Sequence, residues 1–259
     1  MAEIVRDGCR IWYTVEGPRD GPALLLSNSL GTSLELWDST VPLLASRFRI
    51  VRYDTRGHGR SDAPAGPYSL ELLGRDAVAV LDGAGIGPAA VCGISLGGLT
   101  ATWLGLHEAD RVTRLILANT GAQIGSLSLW NERIAAVEAN GLAGIVDRLL
   151  ERWFTAGFRA AHPETIVQYR AMLEATPAAG YVGCCAAVRD ADLRADLSLI
   201  KCPTLVVVGT ADGATPPSLG ELLRDRIRGA RLVALEAAHL SNVEQPASFA
   251  QAVRNFLDE

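Results

Sequence analysis

The stretch from Ala89 to Leu106, A-A-V-C-G-I-S-L-G-G-L-T-A-T-W-L-G-L, limits more than any other what this chain can fold into. The apolar run Ala89 to Cys92 is short enough for a buried strand, while Leu99, Trp103 and Leu106 recur at helical spacing. Between them stands Gly93-Ile94-Ser95-Leu96-Gly97, a G-x-S-x-G pattern that predicts a tight strand-to-helix turn. In such an elbow, strained backbone lifts the serine hydroxyl above the sheet, and small flanking residues let strand and helix crowd together. No charged residue occurs between Asp82 and His107, a length that also suits a membrane span. The glycines, Pro88, Ser95, two threonines and the lack of a basic flank argue against that reading.

The rest of the chain alternates between the two periodicities. Glu3 to Asp7 and Ile11 to Val15 predict an antiparallel start, and Ala23 to Leu26 a buried parallel strand. The small polar loop Ser27-Asn28-Ser29-Leu30-Gly31 follows, then a helical pattern through Leu34, Trp37, Val41 and Leu44. Arg49 to Tyr53 is a further strand, Ser69 to Asp82 a helix capped by Ser69, and Arg114 to Ala118 another strand. Loops at the carboxyl ends of such strands are where ligands of open α/β sheets bind. His58 in Asp54-Thr55-Arg56-Gly57-His58-Gly59-Arg60-Ser61-Asp62 is tempting as a base, but its setting among glycines and charges reads as a loop shaped by hydrogen bonds.

From about residue 121 to 199 strand signals fade. Apolar residues recur at helical spacing (Ile134, Val137; Ile145, Leu149; Ile166, Tyr169, Leu173), with breaks at Asn140-Gly141, Gly157, Pro163 and Pro177. We expect a core of residues 1–120 and 200–259 with a helical cap, 121–199, inserted before the last strands; the alternative is a helical excursion packed elsewhere. Strands return at Thr204 to Gly209 and Arg231 to Leu235, separated by a helix opened by Pro216-Pro217, and Pro246 starts a terminal amphipathic helix. The expected fold is α/β: a mostly parallel central sheet with helices on both faces, joined by right-handed crossovers.

Composition narrows the partners. A formal charge of −5 and a pI near 5.5 leave no basic footprint for nucleic acid or anionic lipid. The N-terminal Met1-Ala2-Glu3-Ile4-Val5-Arg6-Asp7 lacks the pattern of a secretory leader. Five cysteines without C-x-x-C spacing argue against a disulfide framework or zinc site, so we expect a cytoplasmic enzyme with no metal or cofactor. Vicinal Cys184-Cys185 is either a redox pair or, as we read it, two small buried apolar residues.

Serine attack on an acyl carbon needs a base for the hydroxyl proton, and the base needs a carboxylate to fix its tautomer. The chain supplies Ser95, Asp212 and His239 in that order, each just past a predicted strand. A developing oxyanion needs preorganised donors. The backbone N–H of Leu96 is one candidate and that of Leu30 the other.

These motifs, together with Ala238-His239-Leu240-Ser241-Asn242-Val243-Glu244-Gln245-Pro246 and Trp130-Asn131-Glu132-Arg133-Ile134, resemble the α/β-hydrolase family, and within it the 3-oxoadipate enol-lactonases of bacterial aromatic catabolism. Many relatives carry His-Gly where this chain has Asn28-Ser29. The Asn-Ser-Leu-Gly form points to the lactonases and implies that Asn28 or Ser29 shapes the oxyanion loop. The resemblance implies hydrolysis of a small anionic enol-lactone to 3-oxoadipate. For the substrate carboxylate the candidate is Arg133 beside Trp130; alternatively Arg133 is a solvated helix residue, and Trp130 a pocket wall or cap core. Another carboxylic ester hydrolase, a C–C bond hydrolase, a perhydrolase and a slow-turnover ligand receptor are the competing readings.

Overall fold

The computed structural model describes residues 2–259; Met1, the first residue of the N-terminal segment read above, lies outside them. Eight strands form one sheet: β1 (Ala2–Arg6), β2 (Cys9–Glu16), β3 (Ala23–Ser27), β4 (Arg49–Tyr53), β5 (Ala89–Ile94), β6 (Val112–Ala118), β7 (Thr204–Gly209) and β8 (Arg231–Leu235). Their order is β1-β2-β4-β3-β5-β6-β7-β8. The β1-β2 and β2-β4 pairs are antiparallel and all later pairs parallel. Every residue of β5 and β7 is buried. Successive side chains point to opposite faces, so full burial means both faces are covered, which is why these strands read as unbroken apolar runs.

The helices are α1 (Val41–Leu44), α2 (Leu70–Gly83), α3 (Leu96–His107), α4 (Leu127–Asn140), α5 (Val146–Trp153), α6 (Ala156–Ala161), α7 (Pro163–Ala175), α8 (Ala178–Asp190), α9 (Pro217–Arg226), α10 (Ser241–Glu244) and α11 (Pro246–Leu257). Ser69 caps α2 as expected, its hydroxyl accepting from the Leu72 N–H at 3.1 Å. Helix α3 packs on β3, β5 and β6, and α9 on β7 and β8.

The sequence expectation fails in one place. The apolar spacing from Leu34 to Leu44 makes a 3₁₀ turn, Leu34–Trp37, and the short α1 instead of one helix. The Leu34 N–H donates to Asp54 Oδ1 at 2.7 Å, and the Pro42 ring has no N–H to extend a ladder. Helix α8, with small residues Gly180, Gly183, Cys184, Cys185 and Ala186 buried along it, had no clear apolar stripe because it is enclosed nearly all round.

The apolar stretch that could have been mistaken for a span is two elements, β5 and α3, meeting at Ser95. Among the described residues, no single helix is long and apolar enough to cross a membrane. Between β6 and β7 the chain is helical from α4 to α8, and residues of this segment line a cleft shared with the loops that follow β3, β5, β7 and β8.

Candidate active site

Ser95 sits where β5 turns into α3, with φ 57° and ψ −114°. A side-chain-bearing residue in this left-handed region is strained, and the surroundings hold it there. Ser95 N–H donates to Ala118 O at 3.1 Å, and Thr120 Oγ1 donates to Ser95 O at 2.7 Å. Crowding explains the flanking glycines: a Cβ on Gly93 would lie 2.0 Å from Gly97 O, and one on Gly97 2.1 Å from Ser27 O. Ser95 is 9% exposed and opens onto a cavity of about 460 Å³.

His239 lies on the loop after β8 and shares that cavity wall. Its Nδ1 is 2.9 Å from Asp212 Oδ2 and 3.2 Å from Thr215 Oγ1. With Nδ1 turned to the carboxylate, Nε2 is the ring nitrogen that Asp212 does not take up. Asp212, on the loop after β7, is 4% exposed. Its Oδ1 accepts from the N–H groups of Ala214 and Thr215, each at 2.8 Å, and its Oδ2 from Thr215 Oγ1 at 2.7 Å and Asn119 Nδ2 at 3.0 Å. Burial by itself would raise the carboxyl's pKa. The charge and hydrogen bond of His239, joined by the bonds from Thr215, outweigh it and hold Asp212 well below the usual carboxylate range.

The loop after β3 borders the same cavity through Ser29 and Leu30. Asn28 is locked at both ends of its amide: Nδ2 donates to Tyr53 O at 2.7 Å, and Oδ1 accepts from Trp37 Nε1 at 2.8 Å. The Gly31 N–H donates to His58 Nε2 at 3.0 Å, and the Thr32 N–H to Ser29 O. His58 therefore carries its proton on Nδ1, 3.2 Å from Arg56 O, and complete burial lowers its pKa to about 4. It braces the loop as an uncharged ring. Arg56 in turn makes a two-pronged ion pair with Asp76 of α2, both bonds at 2.8 Å, which anchors the His58 loop to the core. Leu96, the other expected donor, is the first residue of α3, where N–H groups lack helical partners.

The cavity's far wall belongs to the inserted helices. Trp130 of α4 donates through Nε1 to Ile124 O at 2.6 Å, and the Arg133 guanidinium lies 4.8 Å from the centre of its ring. Trp130 is thus both buried and part of the wall, and Arg133 is half-buried in it. A second cation, Arg152 of α5, was not anticipated. Its Nη2 donates to Gly213 O at 2.5 Å, next to Asp212, and burial together with nearby Arg133 lowers its pKa. Leu149, Arg152 and Trp153 lie at i, i+3 and i+4 and all line the cavity, so the helical period that exposed Leu149 also marked Arg152. Among the described residues no group of side chains is arranged to hold a metal ion.

The sequence profile of the alpha/beta hydrolase fold matches residues 22–246. The chain belongs to the alpha/beta hydrolase fold family. Among its relatives, 3-oxoadipate enol-lactonase 2 of Acinetobacter baylyi is 42% identical over 93% of this chain and 90% of its own length. The same organism's 3-oxoadipate enol-lactonase 1 is 41% identical over 97% of this chain and 94% of its own. Among solved structures, the enol-lactonase from Burkholderia xenovorans superposes with a TM-score of 0.98 at 41% identity, covering the whole of both chains. This alpha/beta hydrolase thus resembles the lactonases along its entire length, through the α4–α8 insertion as well as the sheet.

Proposed function

We propose that the protein hydrolyses 3-oxoadipate enol-lactone, with Ser95 as nucleophile, His239 as base and Asp212 as the carboxylate that orients it. The observation that carries this reading is one cavity walled by Ser95 and His239 on the sheet side and by Arg133 and Arg152 on the helical side. It combines a serine beside a carboxylate-oriented histidine with cations suited to an anionic acyl group. Similarity over 93% and 97% of the chain to two proteins named 3-oxoadipate enol-lactonase, and over the whole chain to an enol-lactonase structure, supports the choice of substrate.

Ser95 Oγ attacks the lactone carbonyl as its proton passes to His239 Nε2. Charge gathering on the carbonyl oxygen is met by the N–H groups of Leu96 and Leu30; the commitment of the Gly31 and Thr32 amides elsewhere supports Leu30 as the loop's donor. The ring C–O bond breaks and the proton on His239 goes to the departing enol oxygen. The enol stays tethered to the acyl-enzyme, and its tautomerisation to a ketone removes the group that would re-close the ring. Water activated by His239 then releases the acid. Arg133, stacked on Trp130, holds the substrate's carboxylate, with Arg152 adding positive potential. Residues 121–199 serve as a cap on a core of 1–120 and 200–259. Free cysteines throughout the described residues are in keeping with a cytoplasmic setting.

The test is steady-state turnover of the enol-lactone, followed by loss of its enol-ester absorbance. We expect many turnovers per enzyme, and a loss of several orders of magnitude in kcat for Ser95→Ala. Fast aryl ester cleavage with no lactone turnover would move the protein to another ester hydrolase role.

A further inference from the structure

Strand β6 contributes no member of the triad, yet the residue just past its end touches the settings of both partners of the serine. Asn119 has φ 45°, a left-handed conformation that asparagine tolerates better than most residues, and is 1% exposed. Its Nδ2 donates to Asp212 Oδ2 at 3.0 Å and to Ala238 O, the residue before His239, at 3.1 Å. Its Oδ1 accepts from Ser241 Oγ at 2.5 Å, two residues past His239. The amide's orientation follows from chemistry: a carboxylate and a carbonyl only accept, so the NH₂ end must face them and Ser241 must be the donor. Space has been kept for it, since a Cβ on Gly209 at the end of β7 would lie 3.0 Å from Asn119 Nδ2 and 2.2 Å from Ala238 O.

We infer that Asn119 is a positioning residue that fixes Asp212 and the His239 loop relative to each other. It touches no reacting atom and acts through its one buried amide. By donating to Asp212 Oδ2 it also competes with His239 Nδ1 for the same oxygen's electron density. Removing the donor leaves a carboxylate that binds the imidazolium more strongly, so the base keeps its proton to higher pH. The inference rests on the triad reading above.

The charged groups around His239 are Asp212 on its Nδ1 side, Arg133 and Arg152 in the cavity wall, and Glu244 of α10, which takes a backbone hydrogen bond from Ala238. All four are retained in the variants. The probe is a small alkyl fluorophosphonate, which forms a P–O bond to an activated serine and expels fluoride, and so does not depend on the identity of the natural substrate. Its second-order labelling rate is followed from pH 5 to 9 for the wild type, Asn119→Gly, which keeps the left-handed backbone, and Asn119→Asp, which keeps the shape.

We expect labelling at neutral pH to slow on the order of 10²-fold in Asn119→Gly, the scale of a slight misplacement of reacting groups. The acidic limb should move to higher pH in both variants, by about one pH unit or more in Asn119→Asp. Ser241→Ala leaves Asn119 in place but frees its Oδ1, and should show the same direction more weakly; it reads the same network should an Asn119 variant fail to fold. Folded variants with wild-type rates and an unmoved acidic limb overturn the role of Asn119. A wild type that does not label, or labelling that survives Ser95→Ala, instead overturns the triad reading itself.

Discussion

Acidification should loosen this protein through one ring. His58 is fully enclosed, its Nε2 accepts the Gly31 N–H, and its pKa falls from 6.5 to about 4 because burial disfavours the charged form. The unfolded chain therefore takes up a proton near pH 6.5 that the folded chain refuses until about pH 4. The stability tied to His58 is complete above pH 6.5 and is lost as pH falls toward 4, because there the unfolded state binds more protons. At about 1.4 kcal/mol per pH unit, that interval amounts to about 3 kcal/mol. The lowered pKa of Asp212 takes effect only below the ordinary carboxylate range, so it does not enter this window. Urea denaturation at pH 7, 6, 5 and 4.5 would be compared between the wild type and His58→Gln, whose side-chain oxygen can accept from Gly31 but does not titrate. The wild type should lose about 2 kcal/mol more than the variant between pH 7 and 4.5. Parallel curves would refute the claim that His58 is held neutral to brace the loop.

Asp212→Asn replaces the acceptor of the His239 Nδ1–H with an amide, and should lower kcat roughly 10⁴-fold, because the wrong tautomer would be favoured. A near-normal rate would remove Asp212 from the mechanism. Arg133→Ala should raise KM for the anionic lactone while leaving that for a neutral ester nearly unchanged; equal effects on both would assign Arg133 to packing on Trp130.

The sheet and the order of its site residues could be read from local sequence for a definite reason. Buried parallel strands are short apolar runs, and the side chains proposed to react follow them directly, as Ser95, Asp212 and His239 follow β5, β7 and β8. His58 could likewise be read as loop-forming, since glycines and charges surround it, but its partner at Gly31 is a tertiary fact that no local pattern encodes. Arg152 was legible in principle from its spacing to Leu149, and was hidden because a charge on an amphipathic helix is ordinarily solvated. Asn119 was hidden more deeply. An asparagine after a strand looks like a turn residue until the loops carrying Asp212 and Ala238 are brought against it, and those loops come from distant parts of the chain.

The strand order also governs when chemistry can begin. Ser95 stands on β5 in the middle of the sheet, whereas His239 follows β8 at its far edge, with β6 and β7 between them. Parallel strands pair across long stretches of chain, and such contacts form late because the loop entropy must be met before they contribute. A chain emerging from the ribosome would already carry its serine elbow while still lacking the proposed partners Asp212 and His239. On the proposed mechanism that hydroxyl stays an ordinary alcohol until β7 and β8 add to the sheet, so a partly made enzyme is chemically silent.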